Sequence, residues 1–364
     1  MGEIEELENA LANVLGRRHC IITGRGASAI YIALKAIKEN PAKVVMPAIC
    51  CNSPANVSIS AGWEPIFCDI RLEDFNMCPR ALTRTLEDNS DIGAIMPVHL
   101  YGQAAPMKEI LTIAAEHNIP VIEDSAQALG ATYKGHMVGS LGDISIISFG
   151  HTKTLDIGWG GAALTDNDYI AERLRLEQKQ LPRRPLQIDQ LFDEWRKVYY
   201  SLLPLTEMNS KLHILFTLLP QIFNEMYVFS LNREQASDIL NSLNSLDSLV
   251  SARRVLANAY RENLIHPDLV HPSFDPEAAP WRYSFLVGRG LQKTVTEELR
   301  AAGLDASNWY PSLHRWYPSS RKQDPTQFET ALRIESEVVN LWVTPSLSMD
   351  TIHSSSNIVL RCLA

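Results

Sequence analysis

Cysteine is scarce in this chain of 364 residues, and the six present, Cys20, Cys50, Cys51, Cys68, Cys78 and Cys362, form no CxxC pair and have no His at zinc-ligand spacing. That scatter speaks against a disulfide framework and against a metal site, and it fits a reduced, cytoplasmic protein. A dense Lys/Arg run is also missing, and the formal net charge is −9, so nucleic acid is not an expected partner. No apolar stretch reaches the ~20 residues of a spanning helix. The richest one, Trp195 to Phe223, is broken by Glu207, Lys211 and His213 and reads as an internal or interfacial helix pair, so membrane association is not expected. Residues 1–15 are acidic, with Ile4, Leu7, Leu11 and Leu15 at helical spacing before a stop at Gly16, unlike a secretory signal.

What is present is an ordinary globular composition, 46% hydrophobic and 21% charged, in a chain long enough for a large domain and a smaller one. From Arg17 short apolar runs alternate with helical ones: HCIIT, helical SAIYIALKAIKEN, KVVMPA, helical SPANVSISAG, EPIFCDI, GAIMPVHL, helical MKEILTIAAEHN and PVIEDSA. The runs at 44–46, 95–98 and 121–122 are short, β-branched and apolar on both faces, as buried strands of a parallel sheet must be. We therefore expect an α/β domain over 1–230 with a mostly parallel sheet flanked by helices, and ligands at its strand ends. A long helix over 235–264, WRYSFLVG, EELRAAGLD and a final helix near Ser336 read as a smaller α+β domain over 231–364.

Three strand ends carry candidate chemistry. In ITGRGASAI, Gly24 and Gly26 precede a helix beginning near Ser28, where backbone N–H groups and the helix dipole favour an anion; alone this is also what an ordinary turn looks like. No GKS or GKT follows, and Ala29 stands where a full GxGxxG has its third glycine. In VIEDSAQALGA, Asp124 ends a buried strand, where a carboxylate must be paired; a protonated pyridinium nitrogen suits it, and so does service as a helix N-cap. In DISIISFGHTKTLDIGWGGAALT, a strand delivers Ser148, His151 and Lys153 to a glycine-rich turn, a setting in which a partly desolvated amine becomes a nucleophile rather than a surface charge.

The runs VHLYGQ (98–103), EDSAQALGA (123–131), SFGHTK and GWGGAALT together resemble the DegT/DnrJ/EryC1/StrS group of fold-type I pyridoxal 5'-phosphate (PLP) enzymes, most of them sugar aminotransferases. The resemblance runs from about Glu5 to the C-terminus and is weakest at 182–230. It implies that Lys153 carries the cofactor aldehyde, that Asp124 faces the pyridine nitrogen and that Gln127 lies over the cofactor beside its phenolic oxygen. It also implies that Ser148, Gly26, Ala27 and Ser28 hold the phosphate, with Ala27 lacking the hydroxyl of the family's threonine. The implied enzyme is a homodimer with its site at the subunit interface, moving an amino group from glutamate to a nucleotide-linked keto-sugar in polysaccharide or secondary-metabolite synthesis.

Several positions depart from that pattern. Cys51 falls where the family stacks an aromatic on the ring, and Val228 and Ser230 fall where it supplies an Asn and an Arg to the neighbouring subunit, unless Asn224 or Asn232 substitutes. Trp159 replaces the acidic residue of the GEGG turn, and the atypical apolar segment 182–227 would suit a less polar or lipid-linked acceptor. His99, His151, Trp159, Tyr310 and His314 are candidate substrate contacts. Two other readings stay open: a different PLP reaction such as dehydration or elimination, against which Lys153 weighs, and a non-catalytic partner subunit, against which the retained Lys153, Asp124, Gln127 and Ser148 weigh.

Overall fold

The computed structural model describes residues 2–37, 42–273, 275–288, 290–317 and 323–364. Helix α1 (Glu3–Leu15) buries the stripe Leu7, Leu11 and Leu15 and ends at Gly16, whose φ of +64° is the left-handed turn that glycine adopts at least cost. There follow β1 (His19–Thr23), α2 (Gly26–Ile37), β2 (Lys43–Pro47), α3 (Asn52–Ser60), β3 (Glu64–Cys68), α4 (Pro79–Asp88), β4 (Ile92–Ile95), α5 (Met107–His117) and β5 (Ile122–Asp124). The helix read over 28–40 thus starts at Gly26; residues 38–40 lie outside the described residues. A small hairpin, β6 (Thr132–Tyr133) and β7 (His136–Met137), precedes β8 (Ile144–Ser148) and β9 (Gly161–Thr165).

The strands β3, β2 and β4 form one group, all parallel, and β5, β8, β9 and β1 form another, of mixed direction. Parallel bridges Ile95–Val121 and Val98–Asp124 join the groups into a seven-strand order, β3-β2-β4-β5-β8-β9-β1. The sheet is the mostly parallel one expected, with β9 the antiparallel exception, paired to both β8 and β1. All other strands point one way, so Thr23, Pro47, Asp124 and Ser148 end on the same edge, where ligands bind in such sheets. β2, β4 and β8 are nearly or wholly buried because α2 and α6 (Asp168–Gln180) cover one face and α1, α4 and α5 the other.

After α6, whose first turn is capped by the Asn167 side chain, the chain builds α7 (Ile188–Met208), a 3-10 segment (210–217), α8 (Leu219–Ile222) and α9 (Asn224–Tyr227). This is the helical, internally packed form expected of the apolar segment, and no helix of the described residues is long and apolar enough to cross a membrane. Several of its aromatic residues turn inward: Trp195 stacks on Tyr199 at 4.9 Å, and Phe216 stacks on Trp316 at 4.2 Å. Each such ring removes ~150–250 Å² from water, enough to hold the segment to the body without further staples.

The helix expected over 235–264 is two helices, α10 (Arg233–Leu243) and α11 (Leu246–Asn263). Asn244 and Ser245 interrupt it, and the Ser245 hydroxyl bonds back to the Ser242 carbonyl, the competition with backbone pairing that makes serine a poor interior helix residue. Ala236 and Ile239 of α10 pack with Leu7 and Leu11, whereas a separate core from Leu256 onward joins α11, β10 (Arg282–Leu286), α12 (Gln292–Ala301), β11 (Ala306–Ser307), β12 (Val338–Trp342) and α14 (Met349–Leu363). Helix α13 (Glu329–Glu337) matches the one expected near Ser336 but is not the last; α14 follows it, capped by Ser348.

Candidate active site

Lys153 sits in a loop that β8 delivers and the chain ties to itself. The Asp156 carboxylate accepts from the N–H groups of Thr152 (2.7 Å) and Gly158 (3.2 Å), and the Lys153 N–H donates to the Gly150 carbonyl. Trp281, just before β10, donates its indole N–H to the Thr152 carbonyl at 2.7 Å, and the Lys153 amine lies 5.7 Å from the centre of that indole. As a residue Lys153 is partly exposed, but its amine is closely surrounded. Burial pulls its pKa below the usual lysine value; Cys51 and Asp124 oppose this, and the cations Arg282 and Arg25 add to it. Among the described residues the amine makes no hydrogen bond or ion pair.

Asp124 is fixed by its backbone, with its N–H on the Pro97 carbonyl and its own carbonyl accepting from His99 N–H. One carboxylate oxygen accepts the Ala126 N–H at 3.0 Å; the other has no hydrogen-bond donor among the described residues. Burial raises its pKa, while the Ala126 N–H, Lys153 and His99 counteract this. Lys153 and Asp124 each appear in the other's electrostatic surroundings, so the amine and the acid share one compartment.

The remaining candidates divide clearly. Gln127 is buried, accepts the Tyr101 N–H at 3.0 Å and donates to the Tyr310 hydroxyl at 3.0 Å. Ser148 and Gly26 abut: a Cβ on Gly26 would lie 2.9 Å from Ser148 Cβ and 3.2 Å from its Oγ. The N–H groups of Ala27 and Ser28, at the start of α2, have no acceptor among the described residues. The Ser28 hydroxyl is already engaged, donating to the Tyr227 carbonyl and accepting the Phe229 N–H. Val228 is buried, and Ser230 bonds to the Pro182 carbonyl, so both positions pack within their own chain. Cys51 caps α3 and bears electrostatically on Lys153, Arg25, Tyr199 and Tyr310.

His99 is fully buried, its Nδ1 accepting the Ala105 N–H and its Nε2 at 3.0 Å from Glu123, which fixes the tautomer with the proton on Nε2. His151 is exposed, edge-on to Trp159 at 5.7 Å. His314 is stacked on Phe328 at 4.0 Å with Nδ1 on the Ser312 hydroxyl, and burial with Arg315 nearby pulls it down to about 4. Residues that the sequence reading did not single out complete the surroundings: Tyr101 in a near-parallel trio of rings with Trp281 and Tyr310, Arg282 sandwiched at 4.1 Å by both Trp281 and Trp342, and Arg25 against Trp159 and Tyr227. Tyr101 lay inside the VHLYGQ run, and Trp281 directly before an apolar strand; those were the available signals.

A mostly parallel seven-strand sheet with this strand order, and a smaller α+β unit after it, is the architecture of fold-type I PLP enzymes. The chain belongs to the DegT/DnrJ/EryC1/StrS aminotransferase family, whose model matches residues 2–359. It is 29% identical to the GDP-perosamine synthase of Caulobacter vibrioides over 319 residues, 85% of this chain and 77% of that one. With the UDP-2-acetamido-2-deoxy-3-oxo-D-glucuronate aminotransferase of Pseudomonas aeruginosa it shares 35% identity over 175 residues, 48% of each chain. The Helicobacter pylori aminotransferase PseC, involved in the biosynthesis of pseudoaminic acid, has the same fold, with a TM-score of 0.81 over 100% of this chain and 91% of that one at 18% identity. The enzyme is a PLP-dependent aminotransferase, and the residues present fit that cofactor: an unpaired buried amine, a buried carboxylate with one oxygen free, and a Gly26–Ser148 cradle that a Cβ would fill.

Proposed function

We propose that the enzyme transfers an amino group from glutamate to a keto-sugar carried on a nucleotide, in polysaccharide or secondary-metabolite synthesis. The observation that carries this is the shared compartment of Lys153 and Asp124, read with the amino-sugar products and substrates in the relatives' names. PLP bound here would supply an electron sink for the pair left when a proton departs from the carbon bearing the amine. Lys153 would hold the cofactor and, once displaced by the donor amine, take the Cα proton and return it, a task helped by its lowered pKa. Asp124 would keep the pyridine nitrogen protonated with its free oxygen, and Gln127 would lie beside the phenolic oxygen. The phosphate would rest on Ser148, Gly26 and the Ala27 and Ser28 N–H groups, at the positive end of α2.

The reading includes a cytoplasmic homodimer. Six free thiols among the described residues support a reducing compartment, and exposed Leu186, Met208 and Ile222 on the 182–227 segment offer an apolar face to a second copy. Light scattering would find a single-chain mass if the dimer is wrong. The chemistry is tested by adding glutamate to PLP-loaded protein, which should bleach the cofactor's absorbance band, and by borohydride reduction followed by peptide mapping, which should place the pyridoxyl group on Lys153. A band that no amino acid perturbs would sink transamination, and a Lys153→Ala variant that keeps colour and turnover would sink the role of Lys153.

A further inference from the structure

Of the described non-glycine residues with a positive φ, Thr152, at +68°, alone is branched at Cβ, and it stands directly before Lys153. A branched residue is the one least suited to left-handed backbone, so the conformation persists only where its surroundings enforce it. Both backbone polar groups of Thr152 are gripped by side chains. Asp156 Oδ2 accepts its N–H at 2.7 Å, and the Trp281 indole N–H donates to its carbonyl at 2.7 Å. The other Asp156 oxygen accepts the Gly158 N–H at 3.2 Å, so one carboxylate spans the loop. Arg253 of α11, itself buried, adds a longer contact to the Lys153 carbonyl at 3.4 Å and reaches the Pro280 and Trp281 carbonyls at the same distance. A return of φ to negative values would rotate the Thr152 N–H relative to its carbonyl, and the two short bonds could not both survive it.

We propose that Asp156 and Trp281 are positioning residues: by gripping Thr152 from its two sides they hold it in the left-handed conformation and thereby set where the Lys153 amine stands. This rests on the reading of Lys153 given above and names what places that residue. The amine makes no hydrogen bond or ion pair among the described residues, so its position is decided by the backbone at its root and by the Trp281 ring, 5.7 Å away. A lysine that is to hold a group, release it and then carry a proton must return its amine to one place, and a long flexible stem with no partner at its tip does so only from a rigid root. A turn with no task beyond changing direction would take glycine at such a φ, as the same loop does at Gly158 (+84°) and Gly160 (+108°). At Thr152 the chain instead keeps a strained residue and spends two side chains on holding it.

The test compares the full chain carrying Asp156→Ala, Asp156→Asn or Trp281→Phe with the wild type, and repeats Asp156→Ala in a Thr152→Gly background. The rate constant with which glutamate bleaches PLP-loaded protein should fall by about tenfold in Asp156→Ala and in Trp281→Phe, each of which strips Thr152 of one partner, while the half-saturating glutamate concentration moves by less than about threefold. Asp156→Asn, whose amide oxygen accepts the same N–H, should recover most of the rate. In the Thr152→Gly background Asp156→Ala should cost less than about threefold, because glycine holds a positive φ unaided. Hydrogen exchange of the Thr152 amide, which needs no cofactor, should quicken by about tenfold in Asp156→Ala and stay near wild type in Asp156→Asn. Unchanged exchange in Asp156→Ala, an Asp156→Asn variant as slow as Asp156→Ala, or the same loss of rate in both backgrounds overturns the positioning role. Borohydride reduction of the wild type separates the two failures: an adduct elsewhere sinks the reading of Lys153, whereas an adduct on Lys153 with unaltered rates in every variant sinks the positioning alone.

Discussion

The Gln127 amide, carried by the large sheet, donates to the hydroxyl of Tyr310, carried by the C-terminal unit, at 3.0 Å. Its oxygen meanwhile holds the Tyr101 N–H, so this one side chain ties the turn after β4 to a segment far along the chain, at Tyr310.

Tyr310→Phe removes the acceptor and leaves a buried amide N–H unpaired. The expected cost is about 1–3 kcal/mol of stability in urea titrations, with a slower glutamate half-reaction in stopped-flow absorbance. Because Gln127 and Tyr310 act through one bond, Gln127→Ala combined with Tyr310→Phe should cost less than the two changes summed, and strict additivity would refute the link.

Asp124→Asn keeps the Ala126 hydrogen bond and the side-chain volume but removes the charge. Turnover should fall by about a hundredfold or more, while PLP remains bound, because the acid governs reactivity more than retention. Equal losses in cofactor affinity and rate would contradict this.

Gly26→Ala places a methyl group 2.9 Å from Ser148 Cβ, closer than carbon atoms pack. PLP affinity in an absorbance titration should fall by about tenfold or more with the far-ultraviolet dichroism unchanged, since the crowding is confined to the Gly26–Ser148 contact proposed to hold the phosphate.

Glu123 gives a pH dependence with a definite sign. Burial pushes its carboxyl up, but His99 and the N–H groups of Gly139 and Gly142 overcome that and hold it down to about 2. A carboxyl whose folded pKa is depressed stabilises the fold above its unfolded value near 4.5 and loses that contribution as pH falls toward 2. Unfolding free energies of the wild type from urea titrations should therefore drop across that window by an amount on the order of 3 kcal/mol, and those of Glu123→Gln should start lower and change less.

The Lys153 amine should likewise titrate below an ordinary lysine when its capture of PLP is followed against pH. Arg282→Gln removes one of the charges that lower it and should move the midpoint upward, whereas Arg282→Lys should not.

Much of this was legible in the chain itself. Runs such as 44–46 and 121–122 are apolar on both faces because both are covered, and the site residues at the strand ends stand in runs whose glycines, acids and lysine have few structural uses in company. What escaped depends on contacts made far along the chain. Trp281 and Arg282 bear on Lys153 from the start of β10, where a position beside an apolar strand is the one signal the sequence offers. The break at Asn244–Ser245 is a local effect of two polar residues inside a strong apolar period, which the period outweighed in the reading. Ser28, expected at the phosphate, has its hydroxyl taken by Tyr227 and Phe229, a pairing across two hundred positions that no local pattern could announce.

That same pairing has a mechanical meaning. Residues 227–229 close the apolar segment and also clasp Gly24 and Ser28, whose loop would bear the cofactor's phosphate. The cover and the cradle therefore hang on a common hinge pin: the segment cannot swing away without slackening the Gly24–Ser28 turn that it clasps.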